Sequence, residues 1–374
     1  MRLVLLGDGE SPHLLKWARA LAPRVELWAA SSRGFAPGFD ALVPPERRLA
    51  LCTRPDFEGG NAALLRQLPR LASWLRGVRA DWIHAHYLTS HGTLAWAATR
   101  FLRVPGRVVG SAWGSDILVT PQRSAVLRWL TVRVLRACAL ATSDSQVMTD
   151  RMRELGAGEV MTFPFGLEDL PPLPATGQRG DHRFFANRGL EPVYRPQAVL
   201  RLFGAIAAAW PDASLVVAND GSLRPALQAQ AAALGLTSRV RFVGRLSSAD
   251  QAVQYAQARW YLSLPESDSV SVSVLEAMAQ GCIPVLSDLP ANRELVRSGD
   301  NGLVLDGAGA PAARALMPQG LMSQVLMPQL DALLARGEAI AAANHAWVAQ
   351  HAMFGPAVSA FLARLREIQA ANPP

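Results

Sequence analysis

Apolar runs of strand length alternate with amphipathic helical patterns along most of the chain. RLVLLG, VELWAA and DWIHAHY are short and almost uniformly apolar, whereas HLLKWARALA and GTLAWAATRFL show helical spacing of their apolar residues. Uniformly apolar strands are typical of parallel sheets whose two faces are both covered by helices. The pattern therefore predicts an α/β fold built from right-handed βαβ units.

The alternation is interrupted once, at residues 168–181, where EDLPPLPATGQRGD is rich in proline and glycine. It resumes with HRFFANRG, SLVVAND and RVRFVG. We therefore predict two doubly wound domains, residues 1–167 and 182–349, joined by the linker 168–181. A final helix, about residues 350–374, is expected to pack back on the first domain.

The stretch PESDSVSVSVLEAMAQGCIP fits two local structures. SVSVSV alternates like a strand, yet it follows the strand-like RWYLSLP and precedes a helical pattern that ends at Gly281. We predict a polar loop and then a helix from about Ser271 to Gln280, whose N-terminus would attract an anion. A capping box formed by Ser273 and Glu276 is the structural alternative.

Composition limits the classes of protein that this chain can belong to. It has 374 residues, a globular composition and a net charge of +7, most of which lies in residues 1–170. Arg128, Arg133 and Arg136 near Trp129 suit an anionic membrane surface. Solvated arginines explain any single helix face more simply, but the uneven charge of the two halves favours a peripheral membrane contact. Three scattered cysteines and the lack of a targeting or membrane-spanning segment indicate a cytoplasmic protein, at most peripheral on the inner membrane face, and no nucleic-acid partner is predicted.

Three motifs together resemble one known family. Asp268 precedes Glu276 by the spacing of an E-x7-E motif, and AMAQGCIPVLSD and NRELVRSGDNGLVL follow. This resembles the corresponding region of retaining glycosyltransferases of family 4. The resemblance implies a GT-B fold, in which two Rossmann-like domains face a central cleft, the first on the acceptor side and the second binding the nucleotide-sugar donor. It also implies transfer of a sugar from a nucleoside diphosphate to an acceptor hydroxyl with retention of configuration.

The family roles carry over to matching residues of the motif. Glu276 is implied to hold the donor ribose, and Asp268 to lie near the donor sugar and diphosphate with a side chain one methylene shorter than the usual glutamate. Ser271, Val272 and Ser273 occupy the positions whose backbone amides bind phosphate and sugar oxygens.

Two further segments resemble donor-site strands of the family. In FFANRGLEPVYRPQAV, Arg188 matches the arginine that neutralises the diphosphate, and Val193 replaces the usual lysine. Arg195 is either a substitute cation or a surface side chain. In RFVGRL, Gly244 is implied to frame the nucleobase.

The first domain carries weaker matches. LLGDGESPH resembles the glycine-rich loop that faces the donor phosphates, which implies a binding role for Gly9. In SAWGSDI, Trp113 replaces a family histidine while Asp116 remains, either as a carboxylate in the cleft or as a helix cap. His84 and His86 in WIHAHY match a family strand end and are not predicted to bind zinc.

The resemblance leads to a mechanism without a metal. Arg188, with Arg195 as a second cation, and the helix N–H groups would stabilise the leaving diphosphate, and no D-x-D metal motif occurs. Asp116, Asp268 and Arg188 are the predicted catalytic residues, and no cofactor beyond the donor substrate is expected. A lipid-linked or cell-envelope saccharide is the expected acceptor. A nucleotide-sugar epimerase and a non-catalytic nucleotide-sugar-binding subunit remain as alternatives.

Overall fold

The structure, a computed structural model, describes residues 1–53, 62–305 and 319–371. The chain divides into two compact units: Met1–Pro164 together with the C-terminal segment from Phe354, and Phe165–Met353. The sequence predicted as a linker, residues 168–181, lies within the second unit and leads into its first strand.

The first unit is built on a seven-stranded parallel sheet with the order β3-β2-β1-β4-β5-β6-β7. Its strands are β1 (Arg2–Gly9), β2 (Glu26–Phe35), β3 (Arg48–Ala50), β4 (Trp82–His86), β5 (Arg107–Ser111), β6 (Cys138–Ser143) and β7 (Val160–Thr162). Its helices are α1 (Pro12–Leu21), α2 (Ala62–Leu65), α3 (Leu68–Val78), α4 (Thr93–Leu102), α5 (Ser115–Leu118), α6 (Thr120–Arg123), α7 (Ala125–Ala137) and α8 (Gln146–Glu154).

The second unit is built on a six-stranded parallel sheet with the order β10-β9-β8-β11-β12-β13. Its strands are β8 (Gly180–Ala186), β9 (Ser214–Ala218), β10 (Val240–Gly244), β11 (Ala258–Ser263), β12 (Ile283–Ser287) and β13 (Leu303–Leu305). Its helices are α9 (Pro196–Ala209), α10 (Arg224–Ala233), α11 (Ser248–Gln257), α12 (Val272–Ala279), α13 (Pro290–Leu295), α14 (Gln319–Ala335) and α15 (Gly337–His351).

Both faces of the second sheet are buried. Successive strand residues point to opposite faces, and Phe184 and Phe185 accordingly belong to two different apolar clusters, each at most 1% exposed. This explains why the strands read as continuous apolar runs and not as an apolar–polar alternation. The prediction of two parallel-sheet, Rossmann-like domains is confirmed.

The last helix, α16 (Phe354–Ala371), belongs to the first unit. Trp17 of α1 is fully buried, and its ring lies 5.0 Å from Phe354 and 5.3 Å from Phe361. Arg107 at the start of β5 donates to the carbonyl of Ile368 at 3.0 Å. Aromatic packing and this hydrogen bond thus attach the end of the chain to the first sheet.

Local sequence signals account for some departures from the predicted elements. The single helix expected over AALLRQLPRLASWLRG is divided into α2 and α3, because Pro69 occupies the first turn of the second helix, where its missing N–H is tolerated. The short β3 and the helix α15 were not predicted. β3 pairs through only three residues, and α15 has no strongly one-sided apolar face.

Two glycines that end helices provide a matched test of packing at the end of α12. Gly281 and Gly235 both have positive φ, 78° and 68°. A Cβ at position 281 would lie 2.4 Å from Arg179 Nη2 and 2.9 Å from Ala341 Cβ, whereas none of the described atoms lies within 4 Å of one at position 235.

We expect Gly235→Ala to lower the free energy of unfolding by about 1 kcal/mol, through backbone strain alone. Gly281→Ala should lower it by about 1–3 kcal/mol more, because buried neighbours must shift. Urea unfolding followed by tryptophan fluorescence measures both. Equal losses in the two variants would contradict this packing.

Candidate functional site

The strand order of the second sheet reverses between β8 and β11. β9 and β10 extend to one side of this pair, and β12 and β13 extend to the other. Ligands of parallel sheets bind at the carboxyl ends of the strands beside such a switch point. Arg188 follows β8, and the loop that contains Asp268 follows β11. The fold therefore brings these two residues, eighty positions apart in sequence, to the same edge of the sheet.

SVSVSV forms the loop and first turn of α12, as predicted, and not a strand. Ser271 is the N-cap residue in extended conformation, and the helix runs over Val272–Ala279. Ser273 lies inside the helix, where its hydroxyl is hydrogen-bonded to that of Tyr261 at 2.8 Å. The capping box of Ser273 and Glu276 is therefore wrong, because the helix begins at Val272 and its N-cap residue is Ser271.

The Arg188 guanidinium is held at the N-terminus of α12. Its Nη2 donates to Asp268 Oδ2 at 2.6 Å. Its Nη1 donates to the hydroxyls of Ser271 and Ser273, the latter at 3.3 Å. The Tyr194 ring lies against the guanidinium, with its centroid 4.4 Å from Cζ. These contacts fix a planar cation where the first N–H groups of the helix lack intrahelical acceptors.

This arrangement favours an anionic ligand. A guanidinium and the positive end of the α12 dipole act at the same place. Burial raises the pKa of the Asp268 carboxyl, and the positive charge of Arg188 opposes that rise. The side chains of Arg188 and Asp268 are 18% and 21% exposed, so part of the pair remains open to solvent. A diphosphate that reached Arg188 would share it with Asp268 or displace that carboxylate.

Glu276 belongs to a row of hydrogen-bonded side chains along the same edge. The Tyr255 hydroxyl donates to Glu276 Oε2 at 3.0 Å and accepts from Asn187 Nδ2 at 3.1 Å. Asn219 in turn donates to Asn187 Oδ1 at 3.1 Å. Sequence reasoning missed Tyr255 and the two asparagines. The position of Asn187 and Asn219 directly after β8 and β9 was the signal that could have revealed them.

Two family models match this chain, one in each half. Glycosyl transferase 4-like matches residues 2–145, and Glycosyl transferases group 1 matches residues 180–317. The chain belongs to the family-4-like, group 1 glycosyltransferases. It is therefore a transferase enzyme, and its fold is GT-B.

Several known proteins are similar to this glycosyltransferase. The phosphatidyl-myo-inositol mannosyltransferase of Mycobacterium leprae is 28% identical over 325 residues, which cover 83% of each chain. The GDP-mannose:cellobiosyl-diphosphopolyprenol alpha-mannosyltransferase of Komagataeibacter xylinus is 26% identical over 224 residues, 57% of this chain and 54% of that relative. The structure of HepE of Anabaena has been solved with UDP and with UDP-glucose. It superposes on this chain with a TM-score of 0.73 and 16% sequence identity, and the match covers 97% of this chain and 100% of the HepE chain. At that identity the likeness shows the fold alone.

Next to Val193, which replaces the family lysine, an aromatic ring lies against Arg188. Val193 is 42% exposed, and the following Tyr194 is the residue that contacts the Arg188 guanidinium. Arg195 has a positive φ of 49° and lies directly before α9. Burial of Arg201 lowers the pKa of that side chain, and the positive charge of Arg195 lowers it further. A role for Arg195 as a second cation at the diphosphate stays a prediction.

The two predicted binding glycines have different surroundings. Gly244 ends β10 with a φ of 72°, and its carbonyl accepts from the Asn219 N–H at 2.7 Å, so it lies beside the Glu276 row. Gly9 ends β1, and its N–H donates to Ser31 Oγ at 2.8 Å. A Cβ at Gly9 would lie 2.5 Å from the Gly34 carbonyl oxygen. Close packing of the strands thus requires a glycine at this position. A phosphate could accept a hydrogen bond from the Gly9 N–H only if it displaced the Ser31 hydroxyl.

Asp116 is fully buried in the first turn of α5. Its carboxylate accepts from the N–H groups of Leu88 and Trp113, both at 2.9 Å. Burial raises the pKa of Asp116 to about 6, although these backbone donors oppose the shift. The carboxylate therefore connects the turn after β4 to the loop after β5. Because Asp116 is fully buried, its predicted contact with substrate stays a prediction.

His84 and His86 are buried and neutral. Burial lowers the pKa of His84 to about 3, and burial and neighbouring histidines lower that of His86 well below its usual value. His84 Nε2 lies 2.7 Å from Ser111 Oγ. Among the residues that the structure describes, no three His, Cys, Asp or Glu side chains converge in a way that could hold a metal ion.

Proposed function

We propose that this glycosyltransferase moves a sugar from a nucleoside diphosphate to a hydroxyl of a lipid-linked or cell-envelope saccharide, with retention of configuration and without a metal. The observation that carries the donor half of this proposal is Arg188 at the N-terminus of α12, in the same unit as Glu276 and its hydrogen-bonded row. Arg188 and Glu276, which carry opposite charges, would thus contact the diphosphate and the ribose of one donor.

The donor assignment follows from the chemistry of each group. A diphosphate would accept hydrogen bonds from Arg188 and from the first N–H groups of α12, while Glu276 can accept from the two hydroxyls of a ribose. As the bond to the anomeric carbon breaks, negative charge grows on the diphosphate, and the fixed guanidinium and helix dipole stabilise it. Since these groups supply positive charge themselves, no metal is required in this scheme. The binding of UDP and UDP-glucose by a protein of the same fold supports the donor class.

Retention without a covalent intermediate is consistent with the two predicted catalytic carboxylates. A double displacement needs a carboxylate nucleophile beside the anomeric carbon. Asp116 is buried between backbone donors, and Asp268 is paired with Arg188. We therefore favour attack by the acceptor from the side of the departing diphosphate, which can accept the proton of the hydroxyl.

The acceptor assignment is supported by an aromatic patch on α4 and α7. We define this patch as Trp96, Phe101 and Trp129 with Arg100 and Arg133. Phe101 and Trp129 are 61% and 51% exposed, and Trp96 lies 5.2 Å and 6.1 Å from them. Arg133 lies against Trp129 and Arg100 against Phe101. Exposed aromatic rings flanked by arginines suit the interface of an anionic bilayer.

Lipid-linked acceptors would bring this enzyme to such a surface. The names of the two similar mannosyltransferases specify a phosphatidyl-inositol and a diphosphopolyprenol, both of which are lipid-anchored. No helix among the described residues has the length and apolarity needed to cross a bilayer. We therefore propose that the aromatic patch holds the enzyme at the membrane surface.

Donor binding is tested by a thermal-shift panel of UDP-, GDP- and ADP-sugars. A donor at about a hundredfold its Kd should stabilise the protein by about 2.7 kcal/mol. The expected rise in the Tm of the second unit is roughly 5–10 °C. Glu276→Ala should lose this rise, because the ribose contact is gone. Asp331→Ala, which removes an exposed carboxylate of α14, should keep it. A panel without any shift, or an equal shift in Glu276→Ala, would refute the assignment.

One transfer assay tests the stereochemistry and the metal dependence of the reaction. It uses the donor identified by the thermal-shift panel, and lipid-linked saccharide extracted from membranes as the acceptor. We expect the anomeric proton of the product to show the configuration of the donor, and transfer to continue in excess EDTA. An inverted product or loss of activity in EDTA would overturn this part of the proposal. Donor turnover without incorporation would indicate the epimerase, and binding without turnover the non-catalytic subunit.

Membrane binding is tested by flotation with phosphatidylglycerol and phosphatidylcholine vesicles. Phe101→Ala combined with Trp129→Ala should weaken binding to the anionic vesicles by about tenfold or more, because both rings would be buried in the interface. Val253→Ala, which shortens an exposed apolar residue of α11, is the control. Binding should also weaken as salt is raised. Equal binding by the double variant would exclude the patch.

A further inference from the structure

A pocket of about 330 Å³ in the first unit has a chemical character different from that of the Arg188 site. It lies where β1, β2 and β4 end, and its lining includes Asp8, Glu10, His13, Arg33, His86 and Trp113. Its volume is within the range of small-molecule sites. Asp8, Glu10 and His13 belong to the segment LLGDGESPH, which the family resemblance implies to face the donor phosphates.

The loop at this pocket does not offer its N–H groups to an anion. The Gly9 N–H donates to Ser31 Oγ, the Glu10 N–H to Asp8 Oδ1 at 3.0 Å, and the Ser11 N–H to the Asp8 carbonyl at 3.0 Å. Three consecutive donors are thus already used within the protein. A phosphate would meet carboxylates here and not a cradle of backbone amides.

One side of the pocket is acidic. Arg33 lies between two carboxylates, with its Nε 3.6 Å from Asp8 Oδ2 and its Nη1 3.8 Å from Glu10 Oε2. These distances exceed those of good charge-assisted hydrogen bonds, and one guanidinium faces two carboxylates. The excess negative charge repels anionic ligands and accepts hydrogen bonds from hydroxyl groups.

Another side is aromatic and oriented by a buried histidine. The Trp113 indole stands 4.7 Å from the His13 ring, and its Nε1 donates to His86 Nδ1 at 3.2 Å. His86 is therefore a neutral imidazole whose hydrogen is on Nε2. His86 is 3% exposed, and among the residues that the structure describes this Nε2 has no hydrogen-bond partner. A buried N–H donor in a pocket wall calls for an oxygen acceptor.

We propose that this pocket binds an uncharged pyranose ring of the acceptor, and that Trp113 is the residue on which the ring stacks. The C–H face of the sugar packs on the indole, whose face is electronegative. One sugar oxygen accepts from His86 Nε2, and neighbouring hydroxyls donate to Asp8 and Glu10. The inference rests on the proposed function and narrows it: the enzyme selects acceptors whose terminal ring carries no phosphate or carboxylate.

The test is saturation-transfer NMR on the full chain without any donor. The probes are the methyl α-glycosides of glucose, mannose and galactose, with the methyl glucosiduronate as the anionic counterpart. We expect at least one neutral glycoside to bind, and the glucosiduronate to bind at least about tenfold more weakly. Trp113→Ala should weaken binding of the neutral glycoside by about tenfold. Trp113→Phe should keep the affinity within about threefold of the natural protein, because an aromatic face for stacking remains.

Two further variants separate the pocket from general effects. Val126→Ala, which shortens a side chain of α7 that is 72% exposed, should bind the glycosides like the natural protein. Asp8→Asn combined with Glu10→Gln should reduce the discrimination against the glucosiduronate. The proposal is overturned if no neutral glycoside binds in a Trp113-dependent manner, or if the glucosiduronate binds as well as its neutral counterpart. Because no donor is present in this experiment, its result is independent of the nucleotide-sugar panel. Failure of the pocket proposal can therefore be distinguished from failure of the proposed donor site.

Discussion

The pairing of Arg188 with the N-terminus of α12 is the interaction on which the proposed donor site depends. A guanidinium, two serine hydroxyls and the Asp268 carboxylate meet where the strand order reverses. A lone surface arginine would be mobile and screened by water, whereas this one is oriented before a ligand arrives. The sheet is the scaffold for that orientation, because β8 and β11 are adjacent and parallel although long helices and loops separate them in sequence.

Charge is divided between the two units in a way that suits two different substrates. The second unit presents a cation and a helix N-terminus, which match a diphosphate. The pocket of the first unit presents carboxylates, an indole and a neutral histidine, which match an uncharged polyol. The replacement of the family histidine by Trp113 thus changes the side chain at this position. The backbone there is held by Asp116, whose carboxylate accepts from the Trp113 N–H.

The architecture was predictable because its signals are local. Uniformly apolar runs marked the buried strands, and a glycine marked the end of α12. Local reasoning was less reliable where two structures fit one pattern: Ser273 and Glu276 satisfy the spacing of a capping box, but the helix begins at Val272. The partner of Glu276 is instead Tyr255, on a different helix. Helix α15 escaped prediction because its apolar residues, many of them alanines, lie all around the helix and mark no single apolar face.

The sequence by itself determined the alternation of strands and helices, the basic first half and the residue types of the donor motif, since these depend on periodicity, composition and spacing. Only the tertiary structure decided which of those residues meet. Asp268 pairs with Arg188, the Tyr194 ring lies against that arginine, and Asp116 is enclosed by backbone donors. Burial, hydrogen-bond partners and pKa are properties of neighbours brought together from distant parts of the chain, and a linear pattern does not specify those neighbours.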